Sequence, residues 1–159
     1  MNVLVFGAGN VLLADEGFGV HAVRYLEENF EFPEGVEVFD AGTLGLMATY
    51  KMEEAEHILM IDVIAGEGTP GDIRTYGRED IMLDRIPAKL SPHQIGLQEV
   101  MLISEMRGKC PESIKLYGVI PQSIQAGDSL TEPLQAVLAD VCERVVRDVE
   151  ALGFEVKRK

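Results

Sequence analysis

The chain has 159 residues, the size of one α/β domain, because domains usually contain about 100 to 200 residues. Hydrophobic residues make up 47% of the sequence and charged residues 26%, which excludes disordered, collagen-like and coiled-coil proteins. Aspartate and glutamate total 27 against 14 lysines and arginines, so the formal net charge is −13. A chain this acidic repels phosphate backbones and anionic lipids. We therefore predict a single domain over residues 1–159 that binds neither nucleic acid nor a membrane.

The N-terminal residues predict a strand rather than a targeting segment. An apolar run begins at Val3, without the basic stretch and small-residue cleavage site of a signal peptide. No apolar run approaches the roughly 18 residues that indicate a membrane span. The two cysteines, Cys110 and Cys142, form no CxxC motif, and we interpret them as free thiols, although a disulfide between them is also compatible with the sequence. These features predict a cytoplasmic protein.

Short apolar runs alternate with helical patterns along the chain, which is typical of βα units around a mostly parallel sheet. The third run is almost wholly apolar, as expected for a central strand covered on both faces. Residues 72–76 are polar and alternating, so they fit an antiparallel edge strand. The predicted fold is therefore α/β with three layers, a twisted, mostly parallel sheet and helices on both of its faces. The predicted strands are 3–6, 36–39, 58–62 and 114–120, and the predicted helices are 17–30, 44–51, one that starts near residue 91 and one that starts near residue 129.

Two capping-box patterns mark the starts of the later helices. SPHQ at residues 91–94 and SLTE at residues 129–132 each place a serine three residues before a Gln or Glu, so that each side chain can bond the other residue's backbone. His93 then lies in the first helical turn. Residues 77–90 show no convincing period, which fits either a long functional loop or a short helix.

Polar residues cluster just after the predicted strands. In an open parallel sheet, ligands bind at the carboxyl ends of the strands, because the connecting loops and the positive helix N-termini meet there. His93 joins this set if the helix that it opens packs in the usual βα sense. The residues that the rule selects are Asn10, Asp15, Glu16, Asp40, Asp62, Gln122 and Gln125.

Several carboxylates around one crevice repel one another, and a metal ion relieves that repulsion. Glu16, Asp62 and His93 offer two oxygens and one nitrogen, a set that suits nickel, zinc, iron or manganese. Spacing alone leaves an alternative open, in which the acids are N-caps and loop anchors and His93 is an ordinary first-turn residue. We interpret His21 and His57 as structural, the latter at the opposite end of the sheet.

The glycine-rich turn after the first strand also raises a dinucleotide-binding alternative. GAGNVL at residues 7–12 has leucine where the motif requires Gly or Ala, and Asp15 and Glu16 would stand beside the pyrophosphate. The sequence contains neither a GxSxG elbow nor a P-loop, so it offers no candidate for nucleophilic catalysis.

A set of short motifs occurs in order along nearly the whole chain. They are GAGN at residues 7–10, DEGFGV at 15–20, DAGT at 40–43, Asp62 followed by Gly71, SPHQIGL at 91–97 and GVIP at 118–121. In this combination the sequence resembles the hydrogenase maturation endopeptidases. Ala41 replaces a glycine that many members have.

The resemblance implies a protease with a twisted, mostly parallel sheet between helices. Such a protease removes a C-terminal extension from the large-subunit precursor of a [NiFe] hydrogenase after nickel insertion. The metal-binding positions of the family correspond to Glu16, Asp62 and His93, which would read nickel held by the precursor, although another divalent metal could bind there. Asp40 corresponds to a functional acid of the family, and our hypothesis makes it the catalytic base. A nickel carrier without protease activity and a nucleotide-binding domain are the alternatives.

Overall fold

The computed structural model describes residues 2–42, 48–83, 105–108 and 111–159. The predicted helix near residue 91, including His93, and Cys110 lie outside these ranges. The assignment of residues 1–159 to a single domain stays a prediction. The strands are β1 (Val3–Ala8), β2 (Phe30–Glu31), β3 (Val36–Gly42), β4 (His57–Val63), β5 (Ile73–Gly77), β6 (Ser113–Val119) and β7 (Lys157–Arg158). The helices are α1 (Phe18–Asn29), α2 (Ala48–Glu54), α3 (Arg78–Met82) and α4 (Glu132–Ala151), and a 3-10 turn covers Ala14–Gly17.

Five strands form one sheet in the order β3-β1-β4-β6-β5. Strands β3, β1, β4 and β6 are parallel, and β5 pairs antiparallel with β6 at the edge. The prediction of a mostly parallel sheet with an antiparallel edge strand is therefore confirmed. Strand β4 is buried at every position, which explains its continuous apolar run.

Two hydrophobic layers cover the sheet, one on each face. Successive strand residues point to opposite faces, so odd-numbered and even-numbered residues of β1 and β4 enter different layers. This arrangement confirms the predicted three layers. The first layer joins Val3, Val5, Leu59 and Ile61 to Phe18 and Leu26 of α1 and Val141 and Val145 of α4. The second joins Leu4, Phe6, Ile58 and Met60 to Met52 of α2 and Ile81 of α3.

Helix α4 shows why the helices pack as they do. Its buried residues recur every three or four positions from Leu134 to Val149, so one stripe faces the core while charged residues face water. Among the described residues, no helix combines the length and the apolar character that crossing a bilayer would require.

The start of α1 lies unusually close to the sheet. A Cβ atom added at Gly19 would lie 2.3 Å from the carbonyl oxygen of Ile61 and 2.5 Å from that of Ala8. Only glycine allows this approach, because backbone atoms cannot move aside as a flexible side chain can. The contact holds the 3-10 turn and the first turn of α1 against the carboxyl ends of β1 and β4.

Candidate active site at the carboxyl edge of the sheet

The connections leaving β1 and β4 pass to opposite faces of the sheet. Helix α1, which follows β1, packs on one face, while α3, which follows β4 and β5, packs on the other. Because β1 and β4 are neighbours, their carboxyl ends form the kind of switch point at which open α/β sheets have a crevice that binds ligands. We call this place the crevice.

Glu16 comes to the crevice from the 3-10 turn after β1. The residue is 2% exposed, and its backbone nitrogen donates to the Leu13 carbonyl at 3.1 Å. Gly9, with φ +144°, allows the approach, since a Cβ there would lie 1.9 Å from the Glu16 carbonyl oxygen. The GAGN motif is therefore a steric requirement for the placement of Glu16.

Asp62 comes to the same edge from the end of β4. It is 2% exposed, and its Oδ1 accepts a hydrogen bond from the Val63 backbone nitrogen at 2.8 Å. Since Ile61 contacts Gly19 and Glu16 lies one turn before Gly19, the fold brings the Glu16 and Asp62 backbones to one end of the sheet. Carboxylates buried this deeply have lost most of their hydration, and a divalent cation compensates such a loss strongly.

Asp40 lies outside the crevice proper. The sequence predicted a strand ending at Phe39 with Asp40 just beyond it, but β3 continues to Gly42, so Asp40 is an exposed residue within an edge strand. Asp40 pairs with Gly7 of β1, so strand β1 lies between Asp40 and β4. The strand extends because β1 continues beside it, with a register shift after Gly7 that accommodates the extra residue.

The side chain of Asp15, adjacent to Glu16, forms hydrogen bonds with a distant segment of the same chain. It is fully buried and accepts four hydrogen bonds from the segment that follows β6. The donors to Oδ2 are the backbone nitrogens of Gln122 and Ser123, at 2.8 and 3.1 Å, and the Thr131 hydroxyl at 2.7 Å. The Thr131 backbone nitrogen donates to Oδ1 at 2.7 Å. The loop-anchor interpretation that the sequence left open is thus correct for Asp15.

The contact with Asp15 also changes the start of α4. A capping box from Ser129 to Glu132 was predicted, but the helix begins at Glu132 with Thr131 at the N-cap position and no side-chain cap hydrogen bond. The prediction was wrong because Thr131 donates its hydroxyl to Asp15.

The loop between β6 and α4 forms one wall beside the crevice. The backbone of Gly127 makes two hydrogen bonds to the segment before Glu16. Its carbonyl oxygen accepts from the Ala14 nitrogen at 2.9 Å, and its nitrogen donates to the Leu12 carbonyl oxygen at 2.9 Å. The side chains of Gln122 and Gln125 are exposed on this loop. Leu12 is 67% exposed and Ile124 36%, so the rim also carries apolar surface.

The other two histidines and the described cysteine belong to regular elements of the fold. His57 begins β4 at the opposite edge of the sheet, as predicted. His21 lies in α1, and burial lowers its pKa from the ordinary 6.5, with a smaller contribution from Arg24. Cys142 is a free, fully buried thiol whose pKa burial raises to about 12, so it is no nucleophile at neutral pH.

The α/β fold, with a mostly parallel sheet between two layers of helices, is one that a class of known proteases shares. The family model "HycI: Hydrogenase maturation protease" matches residues 20–148. This chain therefore belongs to the hydrogenase maturation protease family, and it is a peptide-bond hydrolase.

Individual relatives agree with this assignment. The chain is 33% identical to the "Hydrogenase 2 maturation protease" of Escherichia coli K12, over 98% of this chain and 94% of that protein. It is 36% identical to the "Hydrogenase expression/formation protein HupD" of Rhodobacter capsulatus, over 98% of this chain and 75% of that protein. The solved structure of the hydrogenase maturating endopeptidase HybD from E. coli superposes with a TM-score of 0.93 at 32% identity, covering 100% of this chain and 98% of that one.

Proposed function

We propose that this protein removes the C-terminal extension of a [NiFe] hydrogenase large-subunit precursor after nickel insertion, and that the precursor's nickel is its recognition signal. The observation that carries the proposal is the burial of two carboxylates, Glu16 and Asp62, whose backbones lie at the same end of the sheet in a protein of the protease family. The precursor is the partner, and nickel arrives with it as part of the substrate. A cytoplasmic location belongs to the same proposal, because the nickel-loaded precursor must be reached before it is assembled.

Glu16, Asp62 and His93 are the proposed nickel ligands. Two oxygens and one nitrogen suit a divalent first-row metal and leave further coordination positions for the precursor's own ligands. Docking through the metal would fix the scissile bond in the crevice by orientation rather than by reading the peptide sequence. The burial of the two carboxylates favours this role, since a cation compensates their lost hydration.

Asp40 is the proposed catalytic base. A carboxylate can accept a proton from water while the water oxygen bonds to the scissile carbonyl carbon, after which the C–N bond breaks and the amine takes up a proton. Adjacent strands lie about 4.8 Å apart, so the β3 backbone is about 10 Å from that of β4. An extended peptide rises about 3.3 Å per residue, so about three substrate residues would separate the nickel from the bond near Asp40.

The decisive experiment mixes the purified protein with an authenticated precursor, nickel-loaded or nickel-free, and weighs the precursor by mass spectrometry. We expect loss of a C-terminal peptide only from the nickel-loaded sample. Glu16→Gln and Asp62→Asn should lose both binding and cleavage, whereas Asp40→Asn should bind the loaded precursor and cleave it slowly. Asp128→Asn, an exposed acid on the loop beside the crevice, is the matched control and should cleave normally.

Other outcomes would contradict specific parts of the proposal. Cleavage that ignores nickel would remove Glu16 and Asp62 from metal recognition. Lost binding in Asp40→Asn would assign that residue to docking. Metal transfer without any change of precursor mass would support a nickel carrier instead of a protease.

A further inference from the structure

A second group of ligand-type side chains lies at the amino edge of the sheet, opposite the crevice. Glu56, His57 and Glu112 place two carboxylate oxygens and one imidazole nitrogen within 4.8 Å of one another. His57 is 8% exposed, whereas both glutamates are exposed to solvent. We call these three residues the amino-edge cluster.

Backbone hydrogen bonds hold the segments that carry the cluster. The Glu56 carbonyl oxygen accepts from the backbone nitrogens of Glu112, at 2.8 Å, and Ser113, at 3.2 Å. The nitrogens of Glu56 and His57 both donate to the Asn2 carbonyl, at 3.0 and 3.2 Å. The start of β4 and the start of β6 are therefore fixed relative to each other before any ligand binds, which lowers the entropy cost of binding.

The imidazole of His57 is also held in place. The Ser113 hydroxyl oxygen lies 2.5 Å from Nδ1 of His57, on the directly paired residue of β6. This contact holds the ring orientation, and metal-binding histidines commonly donate one ring N–H to such a partner. With Nδ1–H donating to the Ser113 oxygen, Nε2 is the nitrogen that would bind a metal.

The geometry points to a divalent transition-metal site, of the zinc type, formed by Nε2 of His57 and the carboxylates of Glu56 and Glu112. Three protein ligands of nitrogen and oxygen leave a fourth tetrahedral position for water. Ligand atoms on a tetrahedral zinc lie about 3.3 Å apart. Because the three ligand atoms lie within 4.8 Å of one another, they need to approach by at most about 1.5 Å, which rotation of the exposed glutamate side chains would supply while His57 keeps its contact with Ser113.

The site is independent of the proposed nickel chemistry. Asp62 lies five residues after His57 on β4, so the two places are about 16 Å apart along the strand at about 3.3 Å per residue. A metal at the amino edge would clamp the starts of β4 and β6 and raise the stability of the folded chain. Its failure would leave the protease proposal unaffected, because zinc binding by Glu56, His57 and Glu112 is measured with both proposed nickel-binding carboxylates of the crevice replaced.

The test is zinc titration of the metal-stripped full chain by calorimetry, with bound zinc counted after gel filtration. The crevice can also bind zinc, so the titration uses the double variant Glu16→Gln/Asp62→Asn as background. This variant should retain one zinc per chain, and Glu112→Gln or His57→Gln on the same background should weaken binding at least tenfold. Glu54→Gln changes an exposed acid two residues before the cluster and is the matched control, expected to bind as the background does.

A background variant that binds no zinc would overturn the proposal, as would zinc binding that survives both Glu112→Gln and His57→Gln. Equal weakening by Glu54→Gln would show nonspecific attraction to an acidic surface and would also overturn it. If the background variant fails to fold, Glu112→Gln in the otherwise unchanged protein gives the same decision. It should bind one zinc fewer than the parent, and zinc should raise its Tm by less than it raises the Tm of the parent.

Discussion

Replacing Asp15 by asparagine should destabilise the protein strongly, although the two side chains have nearly the same volume. The fully buried carboxylate accepts four hydrogen bonds, three on Oδ2 and one on Oδ1. An asparagine can turn its single oxygen toward the three donors. Its amide nitrogen then faces the Thr131 backbone nitrogen, so two donors oppose each other.

The magnitude follows from these contacts. A hydrogen bond to a charged group contributes about 1.5–3 kcal/mol, so losing the bond from the Thr131 nitrogen costs about that much. The three remaining bonds become neutral and each loses roughly half its strength. Asparagine avoids the desolvation cost of a buried charge, which offsets part of the loss. We expect a net loss of about 3 kcal/mol from a free energy of unfolding of roughly 5–15 kcal/mol.

Urea unfolding followed by circular dichroism measures this loss. With a slope of about 2 kcal/mol per M, the midpoint of Asp15→Asn should fall by about 1.5 M, while the exposed control Asp128→Asn should stay within about 0.5 kcal/mol of the parent. Hydrogen exchange should quicken at the amides of Gln122, Ser123 and Thr131. An Asp15→Asn midpoint equal to that of Asp128→Asn would refute the reasoning, because the four bonds would then contribute nothing net.

Two further predictions concern α1. Gly19→Ala should cost about 3 kcal/mol or more, because its Cβ would lie 2.3 Å from the Ile61 carbonyl oxygen, and urea unfolding against Gly127→Ala, where the added atom meets only ordinary contacts, checks this. His21 has a lowered pKa in the folded chain, mainly through burial. Below about pH 6.5 the unfolded chain therefore binds more protons than the folded chain, and the free energy of unfolding decreases as the pH is lowered. His21→Gln should show a shallower fall between pH 7.5 and 5, and parallel curves for the two proteins would contradict the assignment.

Much of the sheet could be predicted because burial on both faces leaves a continuous apolar run. The interval 58–62 lies within β4, and the polar alternation at 72–76 corresponds closely to β5. The two-residue strands β2 and β7 could not be predicted, since so short a segment has no period. Residues 77–90 fitted either a loop or a short helix, and the structure shows α3 at their start.

The residues at the crevice could be predicted only as accurately as the ends of the strands. Glu16 and Asp62 follow apolar runs whose ends are sharp, and both lie at the predicted edge. The end of β3 was misplaced because an edge strand can continue through polar residues when its neighbour supplies the hydrogen bonds, so Asp40 lies within the strand. The sequence left a loop-anchor role open for Asp15, but the residues that it anchors could not be predicted, because they are 107 to 116 residues away in sequence.

The adjacent acids Asp15 and Glu16 show how one short turn can serve both the stability of the fold and the proposed recognition of nickel. Successive residues of a 3-10 turn point about 120° apart, so the two carboxylates cannot share a partner. Asp15 fixes the turn to the wall that follows β6, and Gly9 and Gly19 fix it against the sheet. Ala14, at φ +49°, adopts a backbone conformation that non-glycine residues rarely hold unless their surroundings enforce it. Contacts of the neighbouring residues thus help to set the position of the Glu16 backbone, and weakening the Asp15 anchor should disturb the crevice as well as the fold.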